Sequence, residues 1–266
     1  MVRRGLAGGR DDAKRLIADG IVSVDGSSLV KPATLVAEAS SIALVESRPQ
    51  WASRGALKLQ HAIDTFGIDV TGARALDVGA STGGFTDCLL QHGAARVIAV
   101  DVGYGQLDWK LRTDSRVHVV ERTNARYMEK SVLPEDLPTL PDLVTMDLSF
   151  ISVTKVLPAV GDLCAGETEA LILVKPQFEC GPAQVGSGGV VRRAEDRRAA
   201  AHAVAAGSIA LGWSLAAAVP SPLRGAAGNW ECFLHLVRPR DPSQRENIDR
   251  ILDSMEVPDD HDHHLD

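Results

Sequence analysis

The sequence predicts an α/β protein: a mostly parallel sheet with helices on both faces, preceded by a small α+β unit. Two observations support this prediction. Between residues 53 and 240, short aliphatic runs alternate with helix-like segments, as in parallel strands joined by crossover helices. Before residue 47, one helix-like segment is followed by short strand-like runs with turn residues between them. We therefore expect two domains, 1–46 and 53–240, joined by a linker at 47–52.

The first predicted domain begins with a helix at 11–18, which has helical periodicity with acidic residues first and Gly20 as its stop. Residues 21–26 are a predicted strand that enters an Asp-Gly turn, and 30–45 supply one or two more strands. The pattern resembles the S4 RNA-binding domain. The matching residues are Arg4-Gly5-Leu6-Ala7, Gly9-Arg10, Ala13, Leu16-Ile17, Gly20, Val22, Val24 and Gly26. The family pattern begins several residues before Met1, so the resemblance implies either a domain whose first helix is truncated or a start codon assigned too late.

Basic side chains of this S4-like unit are candidate RNA contacts, since cations positioned on one face bind phosphates. Without the motif, a solvated helix face would be an equally good interpretation. The candidates are Arg3, Arg4, Arg10, Lys14 and Arg15.

The second domain is predicted to contain helices at 53–66, 84–92 and 194–211. Residues 181–189, rich in glycine, are predicted to form a mobile loop. Four arginines that follow this loop either extend the RNA-binding surface or form a solvated basic face; they are Arg192, Arg193, Arg197 and Arg198. The predicted strands are 73–79, 96–101, 117–120, 142–147, 170–175, 213–220 and 230–237.

A glycine-rich loop, 77–85, joins the first strand of this domain to its next helix. Glycines let the backbone approach a ligand closely, and the helix N–H groups point at that ligand. Asp101 ends the following strand, where a carboxylate can accept ribose hydroxyls. The loop lacks the G-x-G-x-x-G spelling of NAD-binding folds, and its D-x-G-x-x-x-G-G form resembles class I S-adenosylmethionine-dependent methyltransferases. Candidate cofactor contacts are Asp77, Gly79, Ala80, Ser81, Thr82, Gly83, Gly84, Phe85, Asp101 and Asn124, the last being equally consistent with a structural turn.

Four charged side chains are candidate catalytic residues: Lys58, Asp147, Lys175 and Glu231. Asp147 and Lys175 each end a predicted strand, where ligands bind in open α/β sheets. A ribose hydroxyl is a weak acid, so its methylation needs a positioned proton acceptor, and a lysine can serve when burial and a second cation lower its pKa. Considered singly, Asp147 could cap a helix, Glu231 could pair with Arg224, and Lys58 could be solvated.

Together these motifs resemble the TlyA (haemolysin A) family of FtsJ-like ribosomal RNA 2′-O-methyltransferases, over residues 3–240. The matching segments are SRGALKL (53–59), LDVGASTGGFTDCLL (76–90), DVGYGQL (101–107), ERTNAR (121–126), DLSFIS (147–152), VKPQFE (174–179), GGVV (188–191) and GNWECF (228–233). The resemblance implies a Lys-Asp-Lys-Glu catalytic tetrad at the four charged residues and S-adenosylmethionine as cofactor. It also implies cytidine in small- or large-subunit ribosomal RNA, or in both, as substrate.

Two other functions remain compatible with the sequence. One is 2′-O-methylation of another RNA, such as tRNA, and the other is a non-catalytic RNA-binding or ribosome-assembly factor, which the intact tetrad disfavours. Base amino methylation is disfavoured because Asp-Leu-Ser-Phe stands at 147–150 where Asn/Asp-Pro-Pro-Tyr/Phe is common. A membrane-lytic protein is disfavoured because no amphipathic membrane helix stands out.

Composition is consistent with an RNA partner once the charge is divided by segment. The chain carries 28 Lys+Arg and 35 Asp+Glu, a formal charge of −7 over 266 residues. Residues 1–60 hold 9 basic against 6 acidic side chains and 181–240 hold 7 against 3, whereas 241–266 hold 2 against 9. We therefore expect 241–266 to be an acidic, disordered tail whose deletion leaves methylation intact or raises it.

The sequence also predicts a cytoplasmic protein, because it contains neither a window of about 20 apolar residues nor a hydrophobic signal core. The four cysteines form no CxxC pair, which favours reduced thiols over a zinc site. His261, His263 and His264 lie among acidic residues, and a polar tail is a better interpretation of them than a metal site.

Overall fold

The computed structural model describes residues 1–18, 22–24, 36–37, 39–44, 51–225, 227–239 and 248–259. The chain divides into two compact units, Met1–Gln50 and Trp51–Asp266. Residues 47–50 of the predicted linker lie outside the described residues. Ala52 belongs to the second unit, because its N–H donates to the Asp87 carboxylate at 2.8 Å.

The first unit contains a helix and a two-stranded antiparallel sheet. Helix α1 spans Arg10–Ala18, and strand β1 (Val22–Val24) pairs with β2 (Ile42–Leu44). These elements occur where the sequence predicts them. Residues 30–35 and Gly20 lie outside the described residues.

The second unit is built on a seven-stranded mixed sheet, which confirms the predicted fold class. The order across the sheet is β5-β4-β3-β6-β7-β9-β8, in which the order reverses between β3 and β6. The strands are β3 (Arg74–Val78), β4 (Arg96–Val100), β5 (Val117–Val120), β6 (Leu143–Met146), β7 (Thr168–Val174), β8 (Ser214–Pro220) and β9 (Cys232–Arg238).

Strand β9 runs antiparallel to both of its neighbours, and the remaining pairs are parallel. The connection between β8 and β9, residues 221–231, is shorter than the dozen or more residues that a parallel crossover usually needs. This reversal brings the start of β9, and with it Glu231, to the edge of the sheet where the parallel strands end.

Helices cover both faces of the sheet, as predicted, and short helices that periodicity did not reveal occur between them. The helices are α2 (Gly55–Phe66), α3 (Gly84–Gln91), α4 (Trp109–Arg112), α5 (Leu157–Leu163), α6 (Pro176–Glu179), α7 (Ala194–Ala210) and α8 (Ile248–Asp253). Within the described residues, none of them combines the length and the apolar character that crossing a membrane requires.

Two apolar cores lie on opposite faces of this sheet. One joins α2 and α3 to the strands through residues such as Leu59, Leu89 and Ala75, while the other joins α5 and α7 through residues such as Leu157 and Val204. Both faces of the central strands are therefore apolar, which explains why the strands are continuous aliphatic runs in the sequence.

The prediction of a disordered tail is wrong for residues 248–259. Helix α8 and the segment after it pack against α7, and Leu252, Met255 and Val257 belong to the second core. Asp259 accepts a hydrogen bond from the Ala194 N–H at 2.6 Å, at the start of α7. The acidic composition hid three apolar side chains that repeat at a spacing of two to three residues. Residues 240–247 and 260–266, including the three tail histidines, lie outside the described residues.

The prediction for Arg197 is also wrong, because this side chain is fully buried in α7 and cannot extend a basic surface. Its guanidinium donates to the Val191 carbonyl at 2.8 Å and to the Pro258 carbonyl. The glycine-rich loop before α7 contains two short 3-10 turns, Pro182–Gln184 and Ser187–Gly189.

Candidate active site

The glycine loop leaves β3 at the point where the strand order reverses, which is where open α/β sheets bind their ligands. Gly79 has φ +87°, and a Cβ there would lie 2.5 Å from the backbone oxygen of Asp147. Only glycine therefore fits between the two loops. Ser81, with φ +50°, turns the chain toward α3.

Asp101 organises this loop through both of its carboxylate oxygens. One accepts the Ser81 N–H at 2.8 Å, and the other accepts the Gly103 N–H at 2.6 Å. The carboxylate therefore fixes the two loops that follow β3 and β4. It also lines a cavity of about 440 Å³, as do Gly79, Ser81 and Asn124.

Asn124 begins a structural turn and also lines the cavity, which are the two possibilities that the sequence left open. Its side-chain oxygen accepts the Arg126 N–H at 3.0 Å and so begins a 3-10 turn at Ala125–Tyr127. It also lines the 440 Å³ cavity. The structural role and a ligand contact are compatible, because the amide nitrogen of the side chain is a separate donor.

Asp77 does not line the 440 Å³ cavity, although its place in the motif predicted a cofactor contact. The side chain is fully buried and accepts hydrogen bonds from the hydroxyls of Thr86 at 2.6 Å and Thr145 at 2.9 Å. Burial raises its pKa to about 6, while the two threonine hydroxyls oppose that shift. Asp77 thus joins β3, β6 and α3 beneath the loop, and its influence on a ligand is indirect.

The other residues of the predicted loop either line a second cavity or lie in the interior. Ala80, Thr82, Gly84 and Phe85 line a cavity of about 410 Å³. Gly83 lies behind it with φ +97°, against the side chains of Leu107 and Leu111, so its contribution is to the turn.

The four predicted catalytic residues meet around this second cavity. Lys58 Nζ lies 2.6 Å from Glu231 Oε2, and Lys175 Nζ lies 2.6 Å from Asp147 Oδ1. All four side chains line the 410 Å³ cavity. The two cavities share Gly79, Ser81 and Asp147, so they form adjoining parts of one cleft.

The Lys58–Glu231 pair is the more buried of the two. The Glu231 side chain is only 2% exposed. Burial raises the pKa of Glu231, and the positive charges of Lys58 and Lys175 oppose that shift. The alternative partner, Arg224, donates instead to the Gly228 carbonyl at 3.0 Å. Because leaving one member of a buried ion pair alone is costly, each residue holds the other in place.

The Lys175–Asp147 pair lies at the junction of the two cavities, because Asp147 lines both of them. Although Lys175 Nζ is close to Asp147 Oδ1, its aligned hydrogen bond goes to the Ser149 hydroxyl at 3.2 Å. Asp147 Oδ1 is buried without an aligned donor among the described residues. The helix-capping interpretation of Asp147 does not apply, because the next helical turn begins at Val153.

Sequence reasoning missed several residues that line the cleft. Ser53, Arg54 and Gly225 line the 410 Å³ cavity, and Phe150 lines the 440 Å³ cavity. The signal was present, because Ser53, Arg54 and Phe150 stand inside the segments SRGALKL and DLSFIS. Gly225 stands in none of the matching segments. A Cβ at this position would meet the Glu231 carboxylate, so the site requires glycine.

Four large aromatic side chains are exposed on the segments that follow β4, β5 and β6, and one of them, Phe150, lines the 440 Å³ cavity. Tyr104, Trp109, Tyr127 and Phe150 are each at least 66% exposed. The Arg122 guanidinium lies 4.2 Å from the centre of the Tyr104 ring, and that of Arg126 lies 5.5 Å from the Tyr127 ring. Aromatic faces paired with cations suit nucleobase stacking and phosphate contact.

The predicted RNA contacts of the first unit are accessible where they are described. Arg3, Arg4, Arg10 and Lys14 are exposed, and Arg10 and Lys14 lie one helical turn apart on α1. Arg4 also donates to the Ser40 carbonyl at 2.6 Å. The side chain of Arg15 lies outside the described part of the structure.

A larger cavity, of about 540 Å³, opens at the opposite edge of the sheet, next to the starts of β6 and β7. Its volume alone does not make it the better site. The glycine loop and the four paired charges lie at the other edge, where open α/β sheets bind their ligands.

The sequence and the fold were compared with known proteins. Residues 51–238 match the family model described as FtsJ-like methyltransferase. The chain is 48% identical over 97% of its length to the 16S/23S rRNA (cytidine-2′-O)-methyltransferase TlyA of Mycobacterium tuberculosis, and covers 92% of that protein. It is 33% identical over 71% of its length to the 23S rRNA (cytidine-2′-O)-methyltransferase TlyA of Campylobacter jejuni, and covers 71% of it. The structure of a predicted hemolysin from Streptococcus thermophilus superposes with a TM-score of 0.71 at 36% identity, covering 94% of this chain and 91% of that one.

Proposed function

This chain belongs to the FtsJ-like methyltransferase family, and we propose that it transfers a methyl group from S-adenosylmethionine to the ribose 2′-hydroxyl of cytidine in ribosomal RNA. One observation carries the proposal. Two lysines and two carboxylates surround the 410 Å³ cavity, and this cavity adjoins the 440 Å³ cavity, which the glycine loop and Asp101 line. A hydroxyl that accepts a methyl group must lose its proton, so proton-accepting groups are needed next to the methyl donor. This cleft offers them.

The 440 Å³ cavity, which Gly79, Asp101 and Asn124 line, fits S-adenosylmethionine. The missing Cβ of Gly79 leaves room for close approach, and Asp101 and Asn124 offer hydrogen-bonding groups to ribose and adenine. Bound there, S-adenosylmethionine supplies an electrophilic methyl group on its sulfur. Gly79, Ser81 and Asp147 line both cavities, so an acceptor hydroxyl in the 410 Å³ cavity would lie next to a methyl donor in the 440 Å³ cavity.

The four charged residues would act on the acceptor ribose. The Lys175–Asp147 pair is the proposed acceptor of the hydroxyl proton, because Asp147 lines both cavities and Lys175 lies beside it. The Lys58–Glu231 pair closes the other side of the cavity and orients the ribose. Holding the hydroxyl in line with the methyl group is expected to supply much of the rate acceleration.

Two sets of side chains support an RNA substrate. The exposed cations of the first unit are suited to phosphates, and the exposed aromatic rings on the segments after β4, β5 and β6 are suited to unstacked bases. We propose that Phe150 stacks on the target base, because it is 91% exposed and lines the cavity next to Asp147. Because its substrate is ribosomal RNA, we further propose that the reaction takes place in the cytoplasm.

The test is transfer of labelled methyl to isolated small and large ribosomal subunits. Both subunits are needed, since the two named relatives differ in the rRNA they modify. We expect label on ribose with the wild-type protein and a loss of about 100-fold or more with Lys175→Ala. Lys130→Ala is the matched control, because Lys130 is an exposed lysine that lines neither cavity.

The alternatives give different results in the same assay. With total tRNA added as a parallel substrate, labelled tRNA and unlabelled ribosomal subunits would support another RNA substrate. Binding of subunits without transfer would support a non-catalytic assembly factor. Label on a base nitrogen or carbon would exclude ribose chemistry.

A further inference from the structure

Phe150 has a backbone conformation that a residue with a Cβ rarely adopts. Its φ is +64°, although it is not a glycine, and its ring projects into solvent. Such conformations persist only where neighbouring contacts enforce them, and they occur often at functional sites. Neighbouring contacts must therefore hold this ring outward.

The segment after β7 contacts Phe150 and the loop that carries it. The Phe178 ring packs on the Phe150 ring with centroids 5.0 Å apart and an interplanar angle of 49°. One residue later, Glu179 Oε1 accepts the Val153 N–H at 2.8 Å. Lys175 lies 2.6 Å from Asp147 at the other end of the same loop. Segment 175–179 thus contacts the start, middle and end of loop 147–153.

Glu179 is a half-buried carboxylate that the proposed methyl transfer does not use. Burial raises its pKa, while the Ser152 hydroxyl, the Val153 N–H and the charge of Lys155 oppose that shift. A buried carboxylate is costly unless it is hydrogen-bonded. The acceptor role toward Val153 offers a reason for its presence, since it fixes the backbone just beyond Phe150.

We infer that Phe178 and Glu179 are positioning residues that hold Phe150 outward for the substrate base. Phe178 supports the ring from beneath, and Glu179 prevents the end of the loop from relaxing. Neither side chain lines the two cavities of the cleft. The inference rests on the proposed function, because it assigns the supported ring to the target nucleotide.

The experiment compares Glu179→Ala with Glu179→Gln, because the glutamine retains an oxygen that can accept the Val153 N–H. We expect Glu179→Ala to raise the KM for ribosomal subunits about tenfold, the factor that one hydrogen bond to a charged group can supply. Glu179→Gln should stay within about twofold of wild type. Glu169→Ala is the matched control, because Glu169 is a carboxylate on β7 at the opposite edge of the sheet.

Phe150 should mediate the effect, so a double-mutant cycle forms the second part. In the Phe150→Ala background, Glu179→Ala should raise KM by less than about twofold. Phe178→Leu should raise KM in the wild-type background and have a similarly small effect in the Phe150→Ala background. Additive losses would overturn the inference, as would an unchanged KM for Glu179→Ala or equal losses for Ala and Gln.

A measurement without turnover separates this inference from the proposed function. Amide hydrogen exchange over 147–153 should accelerate in Glu179→Ala and remain slow in wild type and Glu179→Gln. Equal exchange rates in all three proteins would overturn the inference whether or not ribosomal RNA is methylated. Conversely, a wild-type protein that fails to methylate either subunit refutes the proposed function, while the exchange rates still report on the loop.

Discussion

Asp77 is a fully buried carboxylate whose two oxygens are bound by the hydroxyls of Thr86 and Thr145. The two hydrogen bonds do not offset the loss of water, so burial raises its pKa to about 6. Because the folded protein binds this proton more tightly than the unfolded chain, Asp77 favours folding below pH 4. That contribution is lost as the pH rises through about 6.

We therefore predict a pH-dependent effect of Asp77→Asn on stability. An asparagine can bond to both threonine hydroxyls without ionising. From pH 4 to 7, the free energy of unfolding of the wild type should fall relative to the variant by up to about 3 kcal/mol, as a shift of this size implies. Thermal unfolding of both proteins between pH 4 and 8 measures the difference. Parallel pH profiles would contradict the prediction.

Gly84 stands where α3 begins against the start of α2. A Cβ at this position would meet the Ser53 hydroxyl and would lie 3.1 Å from the Ala56 backbone nitrogen. The first turns of the two helices can therefore approach this closely only at glycine. Lys58 belongs to the same first turns of α2, so its position depends on this approach.

We predict that Gly84→Ala lowers methyl transfer by about tenfold or more, since displacement of a reacting group by about 1 Å costs up to 100-fold. The protein should remain folded, because the displaced turn lies at the edge of the sheet. Steady-state kinetics and circular dichroism check the two parts. Gly166→Ala is the control, as no atom lies within 4 Å of a Cβ there. Full activity of Gly84→Ala would refute the proposed link to Lys58.

At the scale of the elements, helix α8 and the residues after it complete the face of the sheet that α7 covers. Leu252 is 4% exposed, and Met255 and Val257 are buried in the same core. The Pro258 carbonyl and the Asp259 carboxylate also satisfy Arg197 and the first turn of α7. The acidic end of the chain is thus partly a structural element. We accordingly expect deletion of 241–266 to destabilise the protein, contrary to the expectation from charge.

We predict that Leu252→Ala lowers the free energy of unfolding by about 3 kcal/mol, the usual result of removing a buried leucine side chain. Urea denaturation followed by circular dichroism measures it. Asp253→Ala, on the exposed side of the same helix, should change stability by less than about 0.5 kcal/mol. Equal effects of the two substitutions would show that α8 is not part of the core.

At the scale of the whole molecule, the sheet topology explains why residues far apart in sequence form one cleft. Strands β3, β4, β6 and β7 run parallel, so Gly79, Asp101, Asp147 and Lys175, each of which follows one of them, lie at the same edge. The reversed strand β9 begins at that edge and places Glu231 there. Helix α2 adds Lys58 from the face of the sheet. This convergence requires no proximity in sequence.

All seven strands of the larger unit and three of its helices could be predicted, because aliphatic runs and helical periodicity report which segments are buried. The four short helices could not, because helices of four to seven residues have too few turns to show periodicity. The direction of β9 was missed, although the short connection before it argued against a parallel crossover. Burial of single polar residues, such as Asp77 and Arg197, also escaped the sequence, since residue type does not specify depth.

The amino-acid sequence by itself determined the α/β class, the positions of the strands and the motifs that follow them, because local patterns record which segments are buried and which residues turn the chain. It also determined the resemblance to a methyltransferase family, because the motifs are long. Only the tertiary structure decided which charges pair. Lys58 and Glu231 are 173 residues apart, and their contact depends on strand order and on the reversal of β9. The tertiary structure also separated the loop residues that line the cleft from Asp77, which lies in β3 and bonds to Thr86 and Thr145, and from Gly83, which packs against Leu107 and Leu111, because these contacts come from segments distant in sequence.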